Sequence, residues 1–332
     1  MTLDKILDLK VGDPDFTRDY WKERLLPCSI PFNRAMAYNP IYIKESLRNT
    51  IKEMHNTVQN AETAKCHVVL GVGATQILSA AMYALTENGA PREVFVRKPY
   101  YYRLPELIAL SGCIELTRPK SHYTELVVTP NNPNNETKHS HSTSVPDKIY
   151  DLCYNWPQYT ITKKYNENIM VFSLAKCTGH ASSRIGWALV KNTEVAERMN
   201  HFIEQMTGGP SMESMVRAQS IMDHLLVEDE CSNFFLGGRD ILIDRWNQLS
   251  QVSNPFFKTL NSSGMFAWCQ YGHGFAHSDL LRDLSIDSIS GPISGGKINQ
   301  LRLNIGCKEE DFIELIRRLN LPLSKFEPDV ND

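Results

Sequence analysis

The 332-residue sequence lacks several features that would assign it to a membrane or to nucleic acid. It has no run of roughly 18 uncharged apolar residues, the length that a membrane-spanning helix requires. Its opening, MTLDKILDLKVGDPDF, is interrupted by charges every few positions and has no continuous apolar region of the secretory type. A formal net charge of -3 leaves no basic field to attract nucleic acid or anionic lipid. We therefore expect no membrane and no nucleic-acid partner.

The eight cysteines are spread almost evenly and form no C-x-x-C pair. A chain of this length buries enough apolar surface without disulfides, so we interpret them as reduced thiols in a cytoplasmic protein. We also find no internal repeat and no low-complexity tract.

Strand and helix patterns alternate across the middle of the chain, which indicates an α/β fold with a mostly parallel sheet covered by helices on both faces. Residues 1–40 have the composition of an arm, with many turn-forming and aromatic residues. From about residue 210 the pattern changes to long helices, short strands and a last helix. We predict an arm (1–40), a large domain (41–225) and a smaller α+β domain (226–332). Predicted strands cover 67–70, 93–96, 125–128, 148–153, 169–173 and 186–190.

The densest cluster of reactive residue types surrounds Lys176. The lysine follows an apolar strand and lies in a loop of small residues, where its amine is well placed to form an imine with a cofactor aldehyde. Ser173 and Arg184 lie three residues before it and eight after it, so that both side chains can bind one phosphate. A lone S-x-x-K occurs on many protein surfaces, but the arginine and Gly186 at these offsets make a surface role improbable. The cluster predicts a pyridoxal-phosphate (PLP) site.

The spacing S-x-x-K followed by R-x-G resembles that of fold-type-I PLP aminotransferases. The segment 176–191, KCTGHASSRIGWALVK, is similar to the alliinase and plant tryptophan aminotransferase family, as are 150–160 (YDLCYNWPQYT), 129–134 (TPNNPN) and 71–76 (GVGATQ). The similarity extends from about residue 10 to about residue 320. It implies a large domain with a seven-stranded type of sheet.

The resemblance assigns roles on the cofactor ring. Asp151 is expected to pair with the pyridinium nitrogen, and the paired cation keeps its buried carboxylate ionised. Asn132 and Tyr154 are expected to hydrogen-bond the ring oxygen, with Asn131 as an alternative to Asn132. Tyr101 is expected to stack on the ring.

The resemblance also assigns residues at the phosphate and at the substrate. The turn Gly73-Ala74-Thr75 is expected to bind the phosphate at a helix N-terminus. Tyr38 occupies the position from which a tyrosine reaches the partner subunit's phosphate. Arg302 is expected to pair bidentately with the substrate α-carboxylate, in a pocket that Gly12 also lines.

Two histidine pairs have metal-like spacings, at 139/141 and 273/277, but no third ligand lies nearby in sequence, so we expect no metal site. Residues 134–144, NNETKHSHSTS, have the composition of a mobile surface loop.

The predicted reaction is transfer of an amino group from an L-amino acid, aromatic and tryptophan-like, to a 2-oxo acid such as pyruvate or 2-oxoglutarate. An alliinase-like C–S lyase is the first alternative, because β-elimination differs only in the fate of the same carbanion. Alliinases carry a cysteine-rich N-terminal module that this sequence lacks, which favours transamination. A catalytically inactive PLP-fold binding protein is the second alternative, against which the intact lysine, aspartate and arginine argue. A homodimer is expected, since sites of this fold are completed across a two-fold interface.

Overall fold

The computed structural model describes residues 5–22, 24, 26, 28–30, 41–86, 92–120, 122–141, 147–159, 163–272 and 277–321. Helices in these ranges are α1 (Arg18–Lys22), α2 (Ile41–Val58), α3 (Gly73–Ala84), α4 (Leu104–Leu110), α5 (Leu174–Cys177), α6 (Thr193–Thr207), α7 (Met212–Leu225), α8 (Glu230–Ser250), α9 (His277–Leu284) and α10 (Glu309–Leu319). Strands are β1 (Leu7–Asp8), β2 (His67–Val72), β3 (Glu93–Val96), β4 (Ile114–Leu116), β5 (Thr124–Val128), β6 (Asp147–Asp151), β7 (Ile169–Ser173), β8 (Ile185–Val190), β9 (Phe257–Thr259), β10 (Phe266–Tyr271), β11 (Ile286–Asp287), β12 (Ile289–Ser290) and β13 (Gln300–Asn304).

The large sheet contains seven strands among the described residues, in the order β2-β8-β7-β6-β5-β3-β4. Strands β3 to β7 pair in parallel, whereas β8 pairs antiparallel with both β7 and β2. The parallel strands therefore end at one edge of the sheet, and β8 begins at that same edge.

Apolar side chains of the central strands pack on both faces of this sheet. In β7, Met170 and Phe172 pack into the core that contains α2, α7 and α8, while Ile169 and Val171 pack into the core on the side of α3, α4 and α6. Successive side chains of a strand point to opposite faces, so a strand buried on both sides has a continuous apolar sequence. Full burial of one such side chain contributes roughly 2 kcal/mol.

A second, four-stranded sheet has the order β12-β13-β10-β9, and its core includes residues of α8 and α10. The N-terminal segment joins this part of the molecule, because β1 pairs in parallel with β11. Asn304 of β13 extends the connection, since its Nδ2 donates to the carbonyl oxygens of Val11 (2.7 Å) and Asp13 (3.1 Å). Residues 9–13 are thereby fixed across the gap between the two sheets.

The predicted α/β class and mostly parallel seven-stranded sheet are confirmed. Most element bounds shift by one or two residues, and the strand expected over 148–153 ends at Asp151, because the Cys153 N–H donates to the Asp151 carboxylate (3.1 Å) and turns the chain. The described part of the loop predicted over 134–144 has no helix or strand and is mostly exposed or half-buried, as expected of a surface loop, but two of its side chains are anchored. Lys138 is only 3% exposed and Ser140 donates to Glu125 of β5 (2.5 Å). The boundary predicted at residue 226 falls between α7 and α8, and the division into domains stays a prediction.

None of the helices in the described ranges has the length and apolar character that crossing a membrane requires. The described residues also contain no group of three or more His, Cys, Asp and Glu side chains that could hold a metal ion. Of the two histidine pairs, His273 lies outside the described residues.

His55 of α2 is fully buried between aromatic rings of the core. Its Nε2 accepts from the Trp187 indole N–H (2.9 Å), and because indole only donates, the proton lies on Nδ1, which faces Asn60 Oδ1 at 2.6 Å. Burial lowers the pKa of His55 from 6.5 to about 4, although the bond to Asn60 partly opposes the shift.

We therefore expect the free energy of unfolding to depend on the protonation of His55. Its contribution is complete above pH 6.5 and is lost as the pH falls towards 4, because only the unfolded state takes up the proton in that window. The loss is about 3 kcal/mol. Urea unfolding of the parent and of His55→Gln between pH 4 and 7.5 measures it. The variant is less stable at pH 7.5 and loses less stability on acidification. His180, whose pKa is also lowered to about 4 by burial, titrates in both proteins and cancels in the difference. Parallel curves for the two proteins would contradict the assignment.

Candidate active site

The predicted site residues follow the ends of the parallel strands, at one edge of the large sheet. Asp151 ends β6, Lys176 lies just after β7, and Asn132 comes four residues after β5. Arg184 directly precedes the antiparallel β8, and so reaches this edge as well. The carboxyl edge of an open α/β sheet is where such folds bind ligands.

Neighbouring residues hold Lys176 through hydrogen bonds to its backbone carbonyl and to its amine. Ser173 caps the one-turn helix α5, with its Oγ accepting from the Ala175 N–H (3.2 Å). The Lys176 carbonyl accepts from Gln158 Nε2 (3.1 Å) and from the Tyr159 hydroxyl (2.9 Å). Its Nζ donates to the carbonyl oxygen of Gly12 in the N-terminal segment. The lysine thus has a fixed base and an amine directed at the gap between the two sheets.

The electrostatics around Lys176 favour its neutral form. Burial lowers its pKa from 10.5 to about 8; Asp13 opposes the shift and the positive charge of Arg302 adds to it. About a tenth of the amine is then unprotonated at pH 7, and this neutral form is the one that acts as a nucleophile or general base.

Asp151 is a buried carboxylate without a cation. It is 8% exposed and accepts from the Cys153 N–H, and the described residues offer it no ion pair. Burial raises its pKa, partly offset by the hydrogen bond from Cys153. A buried charge is costly unless it is paired. A cationic ring nitrogen in the cavity would supply the missing partner.

A hydrogen-bonded chain connects Arg302 to Tyr154 across the two sheets. Arg302 Nη1 donates to Asn132 Oδ1 (3.1 Å), and Asn132 Nδ2 donates to the Tyr154 hydroxyl (3.3 Å). Arg302 is 2% exposed, its guanidinium carbon lies 4.1 Å from the centroid of the Phe266 ring, and its Nε has no partner among the described residues. Burial lowers its pKa, while Tyr154 opposes the shift.

The structure separates the two candidate asparagines. Asn131 Nδ2 donates to the Pro99 carbonyl (3.1 Å) and to Asn134 Oδ1 (2.6 Å). Asn132, by contrast, lines the cavity. Asn131 instead supports the backbone before Tyr101, together with the buried Lys138, whose Nζ donates to the carbonyls of Pro99 and Arg97.

The predicted phosphate residues form a cradle at the N-terminus of α3. Gly73 has φ +76°, and a Cβ at this position would lie 2.5 Å from Arg184 Nη2. A Cβ on Gly186 would lie 2.4 Å from the Gly73 carbonyl carbon, so Gly186 must be glycine for β8 to approach the start of α3, whereas Gly73 is required by its positive φ. Arg184 Nη1 donates to the Ala181 carbonyl (3.0 Å), and this holds its guanidinium near the helix N-terminus.

These residues surround one cavity of about 780 Å³, within the size range of small-molecule sites. The predicted residues that line it are Gly12, Ala74, Thr75, Tyr101, Asn132, Asp151, Tyr154, Ser173, Lys176, Arg184 and Arg302. Gly73 lies behind the Arg184 guanidinium, and Tyr38 lies outside the described residues.

Some residues of the site were not found from the sequence. Cys153, Tyr102 and Asp13 line the cavity, and Gln158 holds the Lys176 backbone. Their residue types carry no pattern in the sequence, because their roles arise from turns that bring distant segments together. The three consecutive tyrosines after Pro99 were the one available signal for Tyr102.

The residues fit pyridoxal phosphate at each of its functional groups. The cavity provides an amine with a lowered pKa, an unpaired buried carboxylate, and a cation beside a helix N-terminus. Tyr101 adds a half-buried aromatic ring. Each of these groups is costly or strained alone and is compensated by a ligand of that chemistry.

Solved structures with a similar fold include two that are described as aminotransferases. YbdL from Escherichia coli, described with a methionine aminotransferase function, has a TM-score of 0.69 and 17% identity, covering 95% of this chain and 93% of its own. An aspartate aminotransferase double mutant from Thermus thermophilus has a TM-score of 0.70 and 16% identity, covering 95% and 91%. These likenesses establish the fold-type-I architecture.

Proteins related in sequence identify the family as well as the fold. Tryptophan aminotransferase-related protein 2 of Arabidopsis thaliana is 31% identical over 359 residues, 95% of this chain and 81% of that protein. Alliin lyase 2 of Allium sativum is 30% identical over 360 residues, 93% of this chain and 75% of that protein. The family model Alliinase_C, described as Allinase, matches residues 7–322, which include both sheets and every described site residue. The chain therefore belongs to the alliinase family of fold-type-I enzymes, which use pyridoxal phosphate.

Proposed function

We propose that this enzyme is an aminotransferase that moves the amino group of an aromatic, tryptophan-like L-amino acid to a 2-oxo acid such as pyruvate. The convergence of Lys176, Asp151 and Arg302 on one cavity carries the proposal. The donor leaves as a 2-oxo acid and the acceptor leaves as an amino acid, so no external oxidant or reductant is consumed.

Bound pyridoxal phosphate supplies an electron sink that stabilises negative charge at the substrate α-carbon. Lys176 would hold the cofactor aldehyde carbon covalently, and Asp151 would pair with the ring nitrogen. The phosphate would be bound by Gly73, Ala74, Thr75, Ser173 and Arg184, with Tyr38 as a proposed contribution from the partner subunit. The ring would contact Tyr101, Asn132 and Tyr154.

Arg302 is suited to bind the substrate α-carboxylate. It is a buried guanidinium whose described contacts are neutral oxygens and aromatic rings, and its Nε is free to donate. A carboxylate accepts two parallel N–H bonds from this group. Gly12 leaves the necessary room, because a Cβ there would lie 3.1 Å from the Phe266 ring and 3.6 Å from Lys176 Nζ.

Lys176 is suited to move the proton of the substrate α-carbon. Its backbone carbonyl is held by Gln158 and Tyr159. The lowered pKa of its amine keeps it able to accept and return a proton near neutral pH. The apolar and aromatic side chains that line the cavity exclude water from this step. They include Leu78, Tyr101, Tyr102, Leu107, Val128 and Ile289.

The aromatic donor is supported by these walls and by the relatives named for tryptophan aminotransferases. A second candidate, a β-eliminating C–S lyase, is supported by the alliin lyase relatives at the same level of identity. Both reactions use the same lysine, carboxylate partner and arginine, so the products decide between them. A binding protein without activity is the third reading, and its test is the absence of any product.

We further propose a homodimer, because aminotransferase-type sites are completed at a two-fold interface. A cytoplasmic location is also proposed, and it is supported by the eight free cysteines, which suit a reducing compartment.

Incubation of the PLP-loaded enzyme with single L-amino acids, without an acceptor, tests the reaction type. Transamination forms one equivalent of 2-oxo acid per site and then stops, while the visible absorption of the loaded enzyme is lost. Tryptophan should react fastest among the common amino acids. Continued release of pyruvate and ammonia from an S-alkyl-cysteine sulfoxide, with the absorption retained, would establish the lyase instead.

Replacement of Arg302 by lysine should lower kcat/KM for the amino donor by about 10- to 100-fold, since lysine cannot form the bidentate pair. The cofactor occupancy, measured by visible absorption, should stay unchanged. Arg97→Lys is the control, because Arg97 is exposed and pairs with Glu136 (3.3 Å) outside the cavity. Equal losses in both variants would exclude the assigned role.

The rate at which the apoenzyme binds PLP should follow the neutral fraction of Lys176. It should rise about tenfold per pH unit between pH 6.5 and 7.5 and level off above about pH 8. Asp13→Asn removes a negative charge that raises this pKa, so the levelling should occur at lower pH. A rate that rises steadily to pH 10 in the parent would show that the amine is not perturbed.

A further inference from the structure

Arg103, an exposed residue, places a third guanidinium on the cavity wall, in addition to those of Arg184 and Arg302. It lies between Tyr102 and α4 and lines the same cavity as Lys176. Its Nε donates to the Tyr102 hydroxyl (3.1 Å), and its guanidinium carbon lies 5.5 Å from the Tyr102 ring centroid. Among the described residues no carboxylate forms an ion pair with it, and Glu106, one turn later, acts on it only at longer range.

Arg103 and Arg302 both lie near the ring of Tyr102. The Arg302 guanidinium carbon lies 5.9 Å from the Tyr102 centroid, compared with 5.5 Å for Arg103. The carboxyl carbons of a five-carbon diacid are about 5 Å apart. Each bidentate pair adds about 4 Å between the guanidinium and carboxylate carbons. Because both guanidinium carbons lie within 6 Å of one ring centroid, they are less than 12 Å apart. A diacid with a bidentate pair at each end spans about 13 Å and is therefore long enough to reach both arginines.

The other charges facing this part of the cavity already have partners or tasks. Lys10 pairs with Asp287 (2.5 Å), and the Lys10 backbone N–H donates to Asp8 Oδ1 (3.0 Å). Asp13 faces Lys176, whose pKa it raises, and Arg184 is bound to the Ala181 carbonyl at the phosphate cradle. Within the described cavity wall, Arg103 is left with a positive charge that no carboxylate neutralises.

We propose that Arg103 binds the distal carboxylate of a dicarboxylic 2-oxo acid, of the 2-oxoglutarate class, while Arg302 binds its α-carboxylate. This inference rests on the proposed aminotransferase function and names its acceptor. An aromatic donor occupies the same space in the other half of the reaction, with its ring against Tyr102 and against the flat face of the Arg103 guanidinium. Arg103 thus contacts the distal carboxylate of the acceptor in one half of the reaction and the aromatic ring of the donor in the other.

The test compares 2-oxoglutarate with 2-oxopentanoate, which has a methyl group in place of the distal carboxylate. The parent enzyme should prefer 2-oxoglutarate in kcat/KM. Arg103→Met should lower kcat/KM for 2-oxoglutarate by about 10- to 100-fold and leave 2-oxopentanoate within about twofold. Arg103→Lys should retain part of the preference, because a point charge attracts the carboxylate without the bidentate geometry. Arg97→Met is the matched control and should behave as the parent.

A binding measurement keeps the inference independent of turnover. Calorimetric titration of the PLP-loaded enzyme with glutarate should give a Kd that rises about tenfold or more in Arg103→Met and stays unchanged in Arg97→Met. Equal losses for both acceptors, no preference in the parent, or unchanged glutarate binding would overturn the role of Arg103. If tryptophan yields no oxo acid in the acceptor-free assay, the proposed function fails, while the glutarate titration still decides whether Arg103 binds a diacid.

Discussion

The buried guanidinium of Arg302 is the constraint on which the site depends. It extends from β13 of the small sheet to Lys10 in the N-terminal segment and to Asn132 beside the large sheet. Removing such a charge from water is costly, and carbonyl, amide and aromatic contacts compensate only in part. The N-terminal segment, the end of the large sheet and the small sheet meet around this guanidinium. In our proposal the same group binds the substrate carboxylate, so the binding site also holds the three segments together.

Two further groups that line this cavity, Asp151 and Lys176, are also costly to bury. Asp151 is a buried anion without a cation among the described residues, and Lys176 is an amine whose burial lowers its pKa to about 8. A fold selected for stability alone would pair or replace both groups. Neither group has an ion-pair partner among the described residues, and in our proposal each one binds a functional group of the cofactor, whose binding stabilises the folded chain in return.

Transamination and β-elimination draw on one set of cofactor residues, which explains how tryptophan aminotransferase-related proteins and alliin lyases are similarly related to this chain. In our proposal, the reaction is selected by the cavity walls that contact the substrate side chain. Tyr102 and Arg103 belong to that wall, on a turn fixed by the buried Lys138 through the Pro99 carbonyl. A positioned wall of this kind selects substrates without altering the cofactor chemistry.

Local patterns of the sequence were enough to predict the α/β class and six of the seven strands of the large sheet, because periodicity is a property of short segments. The family resemblance added the aspartate and the arginine that line the cavity together with the lysine. Tertiary structure alone decided which neighbouring side chain faces the cavity. Asn132 does so and Asn131 does not, and Lys138 is buried in a segment of polar composition. The Arg302 guanidinium carbon lies 5.9 Å from the centroid of the Tyr102 ring, although the two residues are far apart in sequence. The physical reason is that the direction of a side chain in a turn depends on backbone dihedrals and on contacts from distant segments, and neither is encoded in the residue types of the turn itself.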